Sequence, residues 1–208
     1  MIHLRKLRTI HVVVGAWVLL LFCFMYALGA YEQTPGEESD LQQWPADFQR
    51  PSNNRERTLV FFAHPGCPCT KPSVEQLRSI LPQDGTTEVL VFLFKPATED
   101  ARWTHTELFE KLSQIPGARI ESDSDGKIAE KFHVRTSGTT LIFDKGGKVL
   151  FSGGLTRGRG TEGDNDNAAS ARSVLAGSTV TRTLQKAVVY GCSFFIRERQ
   201  TRPPGGVF

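Results

Sequence analysis

From Thr9 to Tyr31 the chain carries no Asp, Glu, Lys or Arg, and Val12 to Tyr26 within that run is almost wholly apolar. About 20 such residues cross a bilayer as a helix, so this stretch sets itself apart from whatever the rest of the chain folds into. Arg5, Lys6 and Arg8 precede it, while Glu32, Glu37, Glu38 and Asp40 follow. The positive-inside rule then leaves the N-terminus in the cytoplasm and everything after Tyr31 outside. A cleaved signal peptide is the competing reading, because Ala27-Leu28-Gly29 resembles a small-residue cleavage site. A signal h-region is normally about 7–15 residues, which favours an anchor. Both readings export the remainder, and the expected location is a bacterial inner membrane, crossed once, with the domain facing the periplasm or exterior.

The formal charge of +3 resides in those three N-terminal cations; beyond them basic and acidic residues balance, 22 against 22. A neutral body without a Lys/Arg cluster offers no electrostatic footprint for nucleic acid. With 208 residues in all, one well-packed domain plus accessory segments is expected.

The segmentation reads as a basic N-terminus over 1–9, a transmembrane signal-anchor over 10–31, a tether over 32–57, a domain over 58–192 and a loose tail over 193–208. Pro35, Gly36, Pro45 and Pro51 mark the tether, although Leu41, Trp44 and Phe48 in it are suited to docking on the domain. Thr58–Ala63 is a short apolar run of β-formers and reads as a buried strand. It delivers His64-Pro65-Gly66-Cys67-Pro68-Cys69-Thr70, after which Val74, Leu77, Ile80 and Leu81 recur at helical spacing. Glu88–Phe94 is a second buried strand, whose parallel pairing with the first requires the helix as crossover. Further expectations are a helix over about 99–114 containing Trp103, a short strand over 118–121 and a short helix over 127–132. A hairpin follows over 139–152 with a glycine turn, then a helix over 168–175 and a last strand over 184–192. The order βαβαβαββ implies a mixed sheet with helices on its faces.

Cys67 and Cys69 are near enough in a bent turn to bond. Their ring is smaller than that of Cys-x-x-Cys, and strain makes such a bond easier to reduce. Closing so short a loop stabilises a fold little, so exchange is a better use for the pair than bracing. Cys69 falls at a helix start, where unpaired N–H groups favour a thiolate, and Ser73 with Gln76 fits a capping box. Cys192 is the odd thiol outside the apolar run, read either as a small buried residue or as a third thiol that resolves a mixed disulfide or ligates a metal. His64 is either a thiolate neighbour or an exposed loop residue. His105 and His133 are read as uninvolved. Arg157, Arg159, Glu162, Asp164 and Asp166 form either a partner-binding rim or a solvated loop.

Phe61-Phe62-Ala63-His64-Pro65-Gly66-Cys67-Pro68-Cys69 resembles the Phe-Trp-Ala-x-Trp-Cys-Gly-Pro-Cys segment of the thioredoxin-like superfamily, particularly membrane-tethered TlpA/ResA-type oxidoreductases. Lys131–Phe143 is similar to a second family segment, with Gly138 in place of the cis-proline, and the Gly153–Asn167 loop with Gly191-Cys192 suggests the RedB-like branch. The resemblance covers about residues 58–157. It implies an α/β, three-layer thioredoxin-like fold with a central mixed sheet, and thiol–disulfide exchange with protein thiols or disulfides, without a cofactor. Cys67 is then the attacking sulfur, on the assumption that it is the more exposed, and Cys69 the resolving one. Pro68, Gly138 and Thr139 would line the substrate groove. Val60 stands where the family keeps a buried acid. The alternative is a Cu(I)-binding or copper-delivery protein of Sco-like type, with Cys67, Cys69, His64 and Cys192 as donors; soft thiolates suit Cu(I).

Overall fold

The computed structural model describes residues 2–51, 55–82, 84–96, 106–177 and 184–195, in two units, 1–34 and 35–208. The first unit is helix α1, Ile2–Glu32. Its stretch Ile10–Glu32 has a mean hydropathy of 2.4, and Val12, Trp17, Phe22 and Tyr26 all stand exposed. A helix satisfies its backbone internally, so an all-round apolar one is at home in lipid. It has the length and composition of a single-pass anchor or a signal sequence.

The second unit is built on β1 (Arg57–Ala63), α2 (Thr70–Ile80), β2 (Thr87–Lys95), α3 (Glu107–Ser113) and β3 (Ala118–Ser124). It continues with α4 (Lys127–Lys131), β4 (Thr140–Asp144), β5 (Val149–Gly153), α5 (Asp166–Leu175) and β6 (Gln185–Lys186). Among the described residues the strands form one sheet in the order β3-β2-β1-β4-β5-β6. β1, β2 and β3 run parallel, β4 is antiparallel to β1, β5 is antiparallel to β4, and β6 is parallel to β5.

Central β1 is buried on both faces, and its alternation sorts its side chains into two cores. Leu59, Phe61 and Ala63 pack with Val74 and Leu77 of α2, Leu108 and Leu112 of α3, and Ala171 and Val174 of α5. Val60 and Phe62 face the other way, onto Phe92, Phe132 and Phe143. Part of the stretch read as a tether closes this second core. Leu41 and Trp44 are buried there, Phe48 packs against them, and Trp44 meets Phe143 edge-on at 4.8 Å between ring centroids. Its backbone is bonded to the hairpin, Trp44 N–H to Gly147 O at 2.8 Å and Val149 N–H to Gln42 O at 3.0 Å.

Other expectations are corrected. α5 begins two residues early because Asn165 Oδ1 accepts the Ala168 N–H at 3.0 Å and caps it. The expected strand over 184–192 shrinks to Gln185–Lys186, for reasons that belong to the site. The early part of the helix expected over 99–114, with Trp103 and His105, lies outside the described residues, as does 196–208 of the expected tail.

Candidate functional site

The turn carrying the dithiol is placed by its neighbours in sequence. β1 ends at Ala63, α2 begins at Thr70, and the intervening residues bridge the two with Cys67 N–H donating to His64 O and Thr70 N–H to Cys67 O. Pro68 is exposed at the tip, while both cysteines turn inward. Cys69 is the N-cap residue of α2 and supplies no side-chain cap. The capping box expected of Ser73 and Gln76 is absent; Ser73 Oγ donates to Cys69 O at 3.3 Å instead.

Two segments distant in sequence complete the surroundings. The loop 136–139 lies across the end of β1, where Gly138 N–H donates to Phe62 O and Phe62 N–H to Thr139 O. Ser137 Oγ accepts the His64 N–H at 2.8 Å and bonds Thr70 Oγ1 at 2.7 Å. Over that loop runs the chain from Ala187 to Phe194. Ser137 N–H donates to Cys192 O at 2.9 Å, Phe194 N–H donates to Arg135 O at 2.9 Å, and Thr136 pairs antiparallel with Ser193. Cys192 N–H donates to Cys67 Sγ at 3.3 Å.

The two sulfurs of the turn differ in acidity. Burial pushes the Cys67 thiol up, but hydrogen bonds from the Cys192 thiol, the Thr70 hydroxyl and the N–H groups of Cys192 and Cys69 outweigh it, so its pKa is lowered. Four donors around one sulfur are what a thiolate requires. Cys69 is raised, first by burial and then by the charge of Cys67, against a favourable contact with Arg159. The helix start therefore does not make Cys69 the thiolate, as expected from sequence; Cys67 takes that role. Cys192 is pushed up to about 12, by burial and by donating its hydrogen bond to Cys67.

The assumption that Cys67 is the more exposed sulfur is also overturned: it is 1% exposed and Cys69 8%. Gly138 and Thr139 do not line an open groove. Both are buried, Thr139 Oγ1 donates to Thr136 O, and a Cβ on Gly138 would lie 3.3 Å from Ser73 Oγ and 3.7 Å from Tyr190 O. The chain's own 190–194 segment fills that position. His64 stacks on Phe94 at 5.1 Å, and its Nδ1 accepts the Gly66 N–H at 3.1 Å. Among the described residues no group of three or more His, Cys, Asp and Glu side chains is arranged to hold a metal ion, so the four copper donors do not assemble as a ligand set. Of the five charged residues in the 157–166 loop, Arg159 alone is turned inward, and its guanidinium Nη1 donates to Gly191 O at 2.7 Å. His133 pairs with Asp40 at 2.6 Å, in keeping with its uninvolved reading.

Sequence reasoning missed Ser137 and the Thr70 hydroxyl as supports of the sulfurs. Ser137 acts across a gap of 67 residues that only the fold closes, and Thr70, three residues after Cys67, reads as an ordinary helix-start residue.

No family model matches the sequence, and a search among curated proteins gives no match. Solved structures do match. A hypothetical protein from Sinorhizobium meliloti is 19% identical over 76% of this chain and 97% of that one, with a TM-score of 0.54. An uncharacterized conserved protein from Geobacillus kaustophilus is 17% identical over 80% of this chain and 93% of that one, at 0.51. A thioredoxin-like protein from Aeropyrum pernix superposes more loosely, 14% identical over 78% of this chain and 99% of that one, at 0.47. At such identities the fold alone is shared. The central mixed sheet with helices on its faces is the architecture that the resemblance to the thioredoxin-like superfamily implied.

Proposed function

We propose that this chain is a membrane-anchored thiol–disulfide oxidoreductase working outside the cytoplasm, with Cys67 and Cys69 as its exchanging pair and protein thiols and disulfides as its partners. The observation that carries this reading is that one turn holds two thiols whose acidities are pushed in opposite directions, Cys67 down and Cys69 up. In exchange, the sulfur of lower pKa leaves faster. A partner thiolate attacks Cys69 Sγ, the less deeply covered sulfur. The Cys67–Cys69 bond breaks, its electron pair leaves on Cys67, and the partner becomes disulfide-bonded to Cys69. The partner's second thiolate then attacks its own sulfur in that mixed disulfide and releases Cys69, which takes up a proton. The partner has lost two electrons and the Cys67/Cys69 pair has gained them.

These roles reverse those expected from sequence. Donors that favour the Cys67 thiolate also stabilise the reduced pair, which makes the disulfide a stronger oxidant. Trapping experiments separate the two orders. Cys67→Ser should accumulate a mixed disulfide through Cys69, because the sulfur that would expel the partner is gone, and Cys69→Ser should accumulate little. Full turnover of a disulfide substrate by both variants would remove the dithiol from the mechanism.

Export is supported by the uncharged apolar helix with cations on its N-terminal side. A reporter fused after Phe208 should work only if it is of the kind that functions outside the cytoplasm. Activity of a cytoplasm-only reporter at that position contradicts this topology.

A further inference from the structure

The segment that covers Cys67 is irregular, yet six of its eight residues from Ala187 to Phe194 have a backbone group in a hydrogen bond. Ala187 N–H donates to Ser152 O, Val188 O accepts from Asn167 Nδ2, and Val189 O accepts from Gly36 N–H. Gly191 O accepts from Arg159, Cys192 O from Ser137 N–H, and Phe194 N–H donates to Arg135 O. Val189 and Phe194 are buried on either side of the cysteine. Gly191 permits the approach, because a Cβ there would lie 1.9 Å from Ser137 O. A segment bonded at both ends and in its middle holds a defined position, and that position puts Cys192 on the sulfur of Cys67: its N–H is 3.3 Å from Cys67 Sγ and its thiol donates to the same atom.

We propose that Cys192 is a third exchange thiol, which takes Cys67 over from Cys69 and so converts the short Cys67–Cys69 disulfide into a long-range Cys67–Cys192 disulfide. This rests on the dithiol reading above. In the step, the Cys192 thiolate attacks Cys67 Sγ, the Cys67–Cys69 bond breaks, and its electron pair leaves on Cys69. Cys69 takes up a proton equivalent to the one Cys192 gave up. One disulfide is exchanged for another, with no net oxidation.

The leaving sulfur is provided for. Arg159 contacts Cys69 with a hydrogen bond and a favourable charge while donating to Gly191 O beside the attacking residue. One guanidinium thus steadies the segment that brings the nucleophile and the thiolate that departs. The attacking thiol is freed in the same event: the high pKa of Cys192 in the reduced cluster comes partly from its bond to Cys67 and the charge there, and both are gone once Cys67 is in a disulfide. The product also differs as a tether. Cys67–Cys69 closes a turn, whereas Cys67–Cys192 closes most of the domain and restricts the unfolded chain far more. The exchange stores the disulfide under the segment and leaves Cys69, the less deeply covered sulfur of the turn, as a free thiol.

The test uses full-length protein in detergent, oxidised with glutathione disulfide, followed by blocking of free thiols and peptide mapping. Oxidised wild type is expected to yield Cys67–Cys192-linked peptides with Cys69 labelled as a free thiol. Cys69→Ser should yield the same link, and Cys192→Ser only Cys67–Cys69. Wild type in which Cys67–Cys69 forms while Cys192 is labelled and no Cys67–Cys192 link is found overturns the relay and leaves the dithiol reading standing. Labelling of Cys67, Cys69 and Cys192 alike after oxidation removes both.

Discussion

The turn that carries Cys67 and Cys69 and the segment that carries Cys192 reach the same place by opposite means. The turn is local: a buried strand, a helix start and a few bonds between near neighbours set it. The segment has almost no regular structure, and its bonds run to Gly36, Arg135, Ser137, Ser152, Arg159 and Asn167. Each region alone leaves its sulfurs incomplete. Without the segment, Cys67 loses two of its four donors; without the turn, Cys192 has nothing to exchange with. Reactivity here is a property of the contact between a locally specified region and a globally specified one.

Undocking the segment should break this comparison most severely. Gly191→Val places a branched side chain where even a Cβ meets Ser137 O at 1.9 Å and Thr136 Cγ2 at 3.2 Å, so the segment must lift. Exposing Val189 and Phe194 costs about 3–6 kcal/mol, at about 1.5–3 per side chain, measurable by denaturant unfolding. The turn should survive, and Cys67–Cys69 should still form while the Cys67–Cys192 link is lost. A cost below about 0.5 kcal/mol, within the range of an ordinary surface change, contradicts the docking. Closing the long-range disulfide is the next largest effect. Oxidised wild type should be more stable than oxidised Cys192→Ser by about 2–4 kcal/mol. Equal stability of the two means that Cys192 is not bonded in the oxidised state.

The difference between the regions also decides what could be read in advance. β1, α2, β2 and the hairpin announce themselves because buried strands and amphipathic helices repeat over a few residues, and the fold follows from their order. The cysteine turn is legible for the same reason. Leu41, Trp44 and Phe48 stand out as apolar residues in a polar stretch, although their seat against Phe132 and Phe143 does not. The 187–194 segment is illegible: Val188, Val189 and Tyr190 look like a strand, yet the Val188 carbonyl is taken by the side chain of Asn167 and the Val189 carbonyl by Gly36 at the start of the domain. Arg159 is visible only as one charge among five, since its partner Gly191 is 32 residues away. The roles of the two sulfurs could not be read either, because the donors that lower Cys67 come largely from Cys192 and the charge that competes at Cys69 is Cys67 itself.

Alkaline pH sharpens the comparison, because Cys67 of the turn and Cys192 of the segment titrate with opposite signs. In the reduced protein Cys192 holds its proton up to about 12, whereas a free thiol in the unfolded chain loses it near 8.5. Its contribution is fully present below about 8.5 and is lost as pH rises towards 12, since the unfolded state releases the proton first. Cys67, with a lowered pKa, contributes stability above the free-thiol value that is lost as pH falls through its folded value. Reduced wild type should therefore lose more stability than reduced Cys192→Ser as pH rises above about 8.5. Parallel curves for the two proteins contradict the assignment of the protonated thiol to Cys192.

The smallest change addresses the turn alone. Thr70→Val keeps the shape of a buried side chain at the first position of α2 and removes the hydroxyl that bonds Ser137 Oγ at 2.7 Å and supports the Cys67 sulfur. Loss of one such bond costs about 1 kcal/mol, and Ser137 keeps its bond to the His64 N–H, so the loop 136–139 and the segment above it should stay docked. What changes is chemical: with one donor fewer, the pKa of Cys67 rises, and thiolate absorbance followed against pH should show its titration displaced upward. Turnover with a disulfide substrate should fall at neutral pH and recover as the buffer is made more alkaline, because the same sulfur is still there to be deprotonated. The Cys67–Cys192 link should still form, since Cys192 N–H and its thiol remain in place. An unchanged Cys67 titration in Thr70→Val would assign the lowered pKa wholly to the distant segment, and the turn would then contribute position without electrostatics.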